Sequence, residues 1–379
     1  MNSYLDFVPH HLPVPIEPFQ EELLSSWLLR VANANAISRE ELIEAAAVHS
    51  DNNVIVESRP VASSLDYQLN PEARQRLSVF CRIPETTITG LELCHHFPYH
   101  APEWFHGRDL APYRPHLSPR FCLECLLQQI RNERVLHVQA NWAVPVLTHC
   151  PTHLLRLQNY CKSCCGTNPV EWLATAPFRK ILCKHCCGPL SSEPDMELRD
   201  KGLIAVVSLQ AVILTAARGV NPDTFWLGRI SAQSFMQVVR DLIALLTHRQ
   251  YGEGPLLAMR LAGDAFQCDS PLPRGIEQPP LFALHHSARV MVIAALAQVL
   301  LGSRRDRFFP SASTKWGGIP LLSHHRLTPD ELQFVHDRAV DWPEELRRRI
   351  LLNLPQRAMS DDWKILRSRT DPLLTNSHI

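Results

Sequence analysis

The first third of the chain repeats its apolar positions with a period near 3.6. In "EELLSSWLLRVANANAISREELIEAAAVH", Leu23, Leu24, Trp27, Leu28 and Val31 share one face and predict a helix. The polar "NANAIS" breaks the rhythm and makes a turn. Ser38 with Glu41 then reads as a capping box ahead of a second helix carrying Leu42, Ile43 and Ala46. Together they form a helix-turn-helix. The same rhythm returns in "NPEARQRLSVFCRIPETTITGLEL" (70–93) as a capped helix, an "RIPE" turn and a short helix. From residue 193 onward helical periods resume in "GLIAVVSLQAVILTAA", "SAQSFMQVVRDLIALLTH", residues 284–302, "TPDELQFVHDRAV" and "PEELRRRILLNL". "AGDAFQCDSPLPRGIEQPP" and "FFPSASTKWGG" separate them as loops.

Between the two helical regions the pattern changes to cysteines. Nine of the twelve lie between residues 122 and 187, most of them in paired knuckles. These are Cys122-Leu-Glu-Cys125, Cys150-Pro-Thr-His153, Cys161-Lys-Ser-Cys164 and Cys183-Lys-His-Cys186. Eight ligands make two tetrahedral zinc sites, and a thiolate pair two residues apart can wrap one ion at about 2.3 Å. Sequential pairing gives Cys122, Cys125, Cys150 and His153 for one ion and Cys161, Cys164, Cys183 and Cys186 for the other. Both late knuckles read C-K-x-C-C-G, so Cys165 or Cys187 is an alternative to Cys164 or Cys186. A redox pair needs one such motif in a βαβ setting rather than four in series, and the His-x-Glu of a zinc deaminase is absent. Both ions are therefore expected to be structural. His95, His96, His100 and His106, near Cys94, read as packed or solvated side chains rather than ligands.

Composition narrows the class further. The chain has 379 residues, 45% hydrophobic and 20% charged, with formal net charge zero, as in ordinary globular domains. Thirty prolines against 14 glycines suit helices with stiff connections. The start "MNSYLDFVPHHLPVP" has no signal-peptide pattern, and His285, His286 and Arg289 interrupt the most apolar stretch (281–301). A cytoplasmic protein with metal-bound thiolates is the expectation.

Charge is unevenly distributed. Residues 1–120 carry 15 acidic and 9 basic side chains, which argues against a DNA-reading surface and for protein contact. Residues 156–190 reverse the sign with Arg156, Lys162, Arg179, Lys180 and Lys184 against Glu171, a modest patch suited to phosphate. The "LRRRI" run follows Glu344 and Glu345 and reads as a solvated face. Phosphate-loop, dinucleotide, zincin and nucleophile-elbow motifs are all missing.

The expected fold is mainly α. It has an N-terminal helix-turn-helix domain (1–117), a tandem zinc-ribbon module with short β-hairpins (118–192) and a C-terminal helical domain (193–379).

The order of parts carries a resemblance. "PVPIEPFQEELLSSWLLRVA" is followed by a helical motif ending "TGLEL", a Cys-x-x-Cys after Pro119-Arg120-Phe121, and "HCPTHLLRLQNYCKSC". Over residues 10 to about 190 this resembles the TniQ family of transposon target-selection proteins. The eight knuckle residues match that family's zinc positions, while the Cys-Cys doublets depart from it. The resemblance implies a non-catalytic adaptor that joins a target-recognising element, either DNA itself or an RNA-guided CRISPR complex, to an AAA+ transposition regulator and its transposase. It also implies a homodimer. Two other readings stand beside it: a helix-turn-helix/zinc-ribbon transcription regulator, although residues 38–49 offer only Arg39, and a zinc-scaffolded nuclease.

Overall fold

A helix whose faces are nearly all covered organises the N-terminal unit. α1 (Leu24–Ala34) buries Leu24, Trp27, Leu28, Val31 and Ala32, and it buries Ser25 and Ser26 as well. The computed structural model describes residues 11–47, 62–99, 120–132, 135–166, 181–183, 185–191, 200–224, 228–247, 281, 284, 286–300, 337–338 and 341–342. The chain divides into two compact units, Met1–Pro194 and Asp195–Ile379.

In the first unit α1 packs on α2 (Arg39–Ala47) and α3 (Ala62–Tyr67), and α2 packs on α4 (Pro71–Cys81), followed by α5 (Glu85–Thr89) and α6 (Leu93–His96). Trp27, Leu28, Leu42, Leu65, Leu77 and Ile88 form one core. The Ser38 capping box is present: the Ser38 N–H donates to Glu41 Oε2 at 2.7 Å, and the Glu41 N–H donates to Ser38 Oγ at 3.1 Å. α4 starts with Asn70 as cap and Pro71 in its first turn, and it ends on Arg82 in the left-handed region (φ 56°), which opens the "RIPE" turn. The Pro-rich opening is strapped to α1. Trp27 Nε1 donates to the Ile16 carbonyl, and the Asn35 side chain pairs with both backbone groups of Val14.

Two buried glutamates, Glu22 ahead of α1 and Glu92 ahead of α6, anchor this unit. Glu22 accepts from Arg30 Nη2 at 2.6 Å and from Ser26 Oγ; Glu92 accepts from Arg74 Nε at 2.9 Å and from the Leu69 N–H. A buried carboxylate is tolerable only with such partners. Asp66 is the exception in kind. It accepts from the Ser25 N–H at 2.7 Å and from Ser25 Oγ at 3.0 Å, yet burial pushes its carboxyl up to about 7.

The segment 137–140 reaches back to the start of α1. The Leu23 N–H donates to the Val138 carbonyl, the Ala140 N–H to the Glu21 carbonyl, and the Val138 N–H to Ser26 Oγ. A 3₁₀ turn (Ala140–Ala143) with buried Trp142 follows. α7 (Leu123–Arg131) completes the unit's described helices.

In the second unit α8 (Asp200–Ala217), α9 (Ala232–Thr247) and α10 (His286–Leu300) pack against one another. The expected 284–302 helix is thus present as α10. Its described side chains are buried on every face, and Val290, Val292, Ile293 and Leu296 are fully so. A two-residue antiparallel ladder, β1 (Asp223–Thr224) with β2 (Gly228–Arg229), lies between α8 and α9. Trp342 is buried and donates Nε1–H to Asp241 on α9 at 2.6 Å. "PEELRRRILLNL", with the "LRRRI" run, lies outside the described residues, as does "TPDELQFVHDRAV" apart from Asp337 and Arg338, which are helical.

Candidate metal centre

Four short segments converge after residue 119. Cys122 is the N-cap residue of α7 and Cys125 lies in its first turn, so one helix start presents both sulfurs. The Phe121 and Gln158 backbones exchange two hydrogen bonds of 2.9 Å, which sets the start of α7 beside the chain leaving the 150–153 knuckle. Arg120 fixes the other side. Its buried guanidinium donates to the carbonyls of Val144 at 2.9 Å and Leu147 at 2.8 Å, with Pro145 at 3.5 Å.

The three later knuckles share one backbone form. In each, the first cysteine's N–H donates to the carbonyl five residues on, and its carbonyl accepts from the N–H four residues on. The pairs are Cys150 with Leu155 and Leu154, Cys161 with Gly166 and Cys165, and Cys183 with Gly188 and Cys187. The residue four positions on is left-handed each time: Leu154 (φ 56°), Cys165 (56°) and Cys187 (57°). A side chain there costs about 1–2 kcal/mol relative to glycine, so each knuckle carries local strain. Isolated antiparallel bridges, His149 with Arg156 and Leu182 with Pro189, straddle two of the knuckles, and no named strand occurs among this module's described residues.

The result is two tetrads: Cys122, Cys125, Cys150 and His153, and then Cys161, Cys164, Cys183 and Cys186. Within each, the donor atoms all lie within 4.8 Å of one another. In the first, Cys125 Sγ is 3.6 Å from Cys150 Sγ, and His153 Nδ1 is 3.5, 3.2 and 3.6 Å from the sulfurs of Cys122, Cys125 and Cys150. In the second, Cys161 Sγ is 3.8 Å from Cys186 Sγ, and Cys164 Sγ is 3.7 Å from Cys183 Sγ. A tetrahedron with metal–sulfur bonds of about 2.3 Å has edges of roughly 3.8 Å, whereas a disulfide is about 2.05 Å. The spacing is that of shared metal ligands. Cys164 and Cys186, not Cys165 and Cys187, bring their sulfurs into the tetrad, because the doublet's second cysteine occupies the left-handed corner.

The sulfurs of the first tetrad also act on one another. Hydrogen bonds from Cys122 and Cys125 hold the Cys150 thiol far below its ordinary range, while hydrogen bonding to Cys122 and Cys150 pushes Cys125 far up. A dication at the centre would let these sulfurs bind together as thiolates. At Cys161 burial works upward, but the N–H groups of Cys164 and Ser163, together with the thiols of Cys183 and Cys164, bring the thiol to about 6.

The match to known families can now be placed on this geometry. Residues 13–157 match the TniQ family. They form a TniQ domain. It is a family of transposition target-selection proteins, and no curated protein matches the chain. The TniQ domain takes in the buried helical core and all four residues of the first tetrad. It ends four residues before Cys161, so the second tetrad lies beyond it.

Of the five residues read as nucleic-acid contacts, Lys162 is exposed on a knuckle and Arg156 is half-buried beside another; Arg179, Lys180 and Lys184 lie outside the described residues. His95 is exposed on α6, Cys94 donates toward Glu92 Oε2 at 3.7 Å, and neither they nor half-buried His96 belong to a tetrad; His100 and His106 lie outside the described residues. Within the TniQ domain three of the few bases are committed internally: Arg30 to Glu22, Arg74 to Glu92 and Arg120 to backbone carbonyls. Sequence reading had no signal for the Arg120 clasp beyond its place in "PRFC". Among the described residues no helix is long and apolar enough to cross a membrane.

Proposed function

We propose that this chain is a non-catalytic transposition accessory protein, coupling target-site recognition to an AAA+ transposition regulator and through it to the transposase. The observation that carries the reading is the TniQ domain itself, in which helical core and first tetrad are one piece. Both tetrads hold structural Zn²⁺ in this reading, in a tandem zinc-ribbon with short hairpins between the N-terminal and C-terminal helical domains. The protein is cytoplasmic and acts as a homodimer.

The charge pattern supports a division of labour. Residues 1–120 are net acidic, and Arg30, Arg74 and Arg120 are occupied internally, so this region suits protein partners, among them an RNA-guided targeting complex. Arg156, Lys162, Arg179, Lys180 and Lys184 give the second-tetrad region its basic excess and suit phosphate on target DNA.

The experiment is affinity capture of the tagged full chain from its native host, with and without nuclease, read by mass spectrometry. Nuclease-resistant recovery of an AAA+ ATPase is the expected result, and a guide-RNA complex alongside it identifies the mode of targeting. Recovery of chromosomal DNA alone overturns the adaptor reading in favour of a transcription regulator. Charge reversal at Arg179 and Lys180 is expected to weaken DNA-dependent recruitment; unchanged recruitment removes the DNA role.

A further inference from the structure

The two tetrads differ in what solvent can reach. In the first, Cys122 and Cys150 are buried and Cys125 and His153 half-buried; in the second, Cys161 and Cys183 are buried while Cys164 and Cys186 are exposed. Each exposed ligand of the second tetrad touches a buried ligand from the opposite knuckle: Cys164 meets Cys183 at 3.7 Å, and Cys186 meets Cys161 at 3.8 Å. All four of its ligands are sulfur, so every one can be oxidised. The first tetrad contains an imidazole and presents no exposed sulfur. Metal-bound thiolate keeps its nucleophilicity where solvent can reach it, and access then decides which site reacts.

We propose that the second tetrad is a thiol-oxidation site, at which a peroxide-class oxidant turns one exposed ligand and its buried neighbour into a cross-knuckle disulfide and expels the ion. The chemistry balances. The Cys164 thiolate attacks peroxide, an S–O bond forms, the O–O bond breaks, and hydroxide leaves and takes a proton from solvent. The Cys183 thiolate then attacks the sulfenic sulfur; an S–S bond forms, the S–O bond breaks, and the second oxygen leaves as water with a second proton. Two thiolates have given two electrons to one peroxide. The remaining two sulfurs cannot hold a tetrahedral dication. Cys186 with Cys161 is the equivalent pair. Sulfurs 3.7–3.8 Å apart need close by less than 2 Å to reach disulfide length, a movement that exposed knuckles can make.

This inference rests on the reading of both tetrads as metal sites, and the test separates the two. The zinc content of the full chain is measured first by elemental analysis, with two ions expected. Hydrogen peroxide is then added in slight excess, release is followed with a chromogenic chelator, and disulfides are mapped by mass spectrometry. One ion is expected to leave about tenfold faster than the other, with a disulfide joining the 161–165 and 183–187 peptides. The variant carrying Cys165→Ser and Cys187→Ser keeps all eight ligands and removes the competing exposed thiols, so it is expected to release the same ion and give an unambiguous map. Ions that leave together, an ion that stays until the protein unfolds, or a disulfide at Cys122, Cys125 or Cys150 overturns the inference. A chain with no bound zinc overturns the metal reading, and the inference with it.

Discussion

The first tetrad and the second use the same knuckle and live in different surroundings. The first is held by α7, by the Arg120 clasp and by the 137–140 segment that hydrogen-bonds to α1. Among the described residues, the second is held by its own two knuckles, with Gln158 Nε2 donating to the Ser191 carbonyl as a tie to the first. Identical local geometry thus serves a buried site in one place and a solvent-reached site in another. What decides is how many buried partners each knuckle shares with the helices.

The largest test of this contrast is ligand removal. Cys150→Ser is expected to lose one zinc ion and the cooperative melting of the helical core together, since structural zinc contributes on the order of 10 kcal/mol to such folds. Cys183→Ser is expected to lose one ion and leave that melting in place. Circular dichroism melts beside zinc stoichiometry check both, and equal losses of helix would abolish the distinction.

Asp66 probes the helical core through pH. Its folded-state pKa is raised from 3.8 to about 7, so the folded chain holds the proton more tightly than the unfolded one. The resulting stability is complete below pH 3.8 and is lost as pH rises through 7, at a slope of about 1.4 kcal/mol per pH unit between them. Asp66→Asn keeps an acceptor for the Ser25 N–H and is expected to flatten that slope over pH 5–7 in denaturant titrations. An unchanged slope would assign it to other groups.

Arg120→Ala leaves the Val144 and Leu147 carbonyls without their donor and is expected to cost about 3 kcal/mol in chemical denaturation, with weaker zinc binding at the first tetrad alone. Gly166→Ala acts at the other site: a Cβ there would sit 2.5 Å from the His185 ring. About a tenfold loss of zinc affinity at the second tetrad is expected, with recovery in the double variant that adds His185→Ala. Competition titration with a chelator reads both. Ser38→Ala has the smallest effect, about 1 kcal/mol from loss of the capping box, and none on either ion.

Much of this was legible in the chain and some was not, for physical reasons. Leu23, Trp27, Leu28 and Val31 share a face at any tertiary arrangement, so periodicity placed them in a core correctly. The Ser38–Glu41 box is local over three residues and needed no fold. The eight tetrad residues were readable because chelation restricts spacing. Ser25 and Ser26 were not, because their burial depends on Asp66 and Val138, far along the chain. The Cys-x-x-Cys spacing favoured Cys164 over Cys165; what it left unexplained is the reason, a left-handed backbone at Cys165 that identical letters do not encode.

The hydrogen bonds joining α1 to residues 137–140 also bear on how the protein is made. The ribosome delivers α1 first, yet the groups that complete its start, Val138 and Gln139 among them, arrive more than a hundred residues later. His153, the last ligand of the first tetrad, follows closely. One stretch of chain thus supplies both the backbone partners at the start of α1 and the last donor of the first tetrad. A metal held by the first tetrad would therefore find its last donor only after the backbone partners of α1 had been made, which would couple metal capture to helix completion.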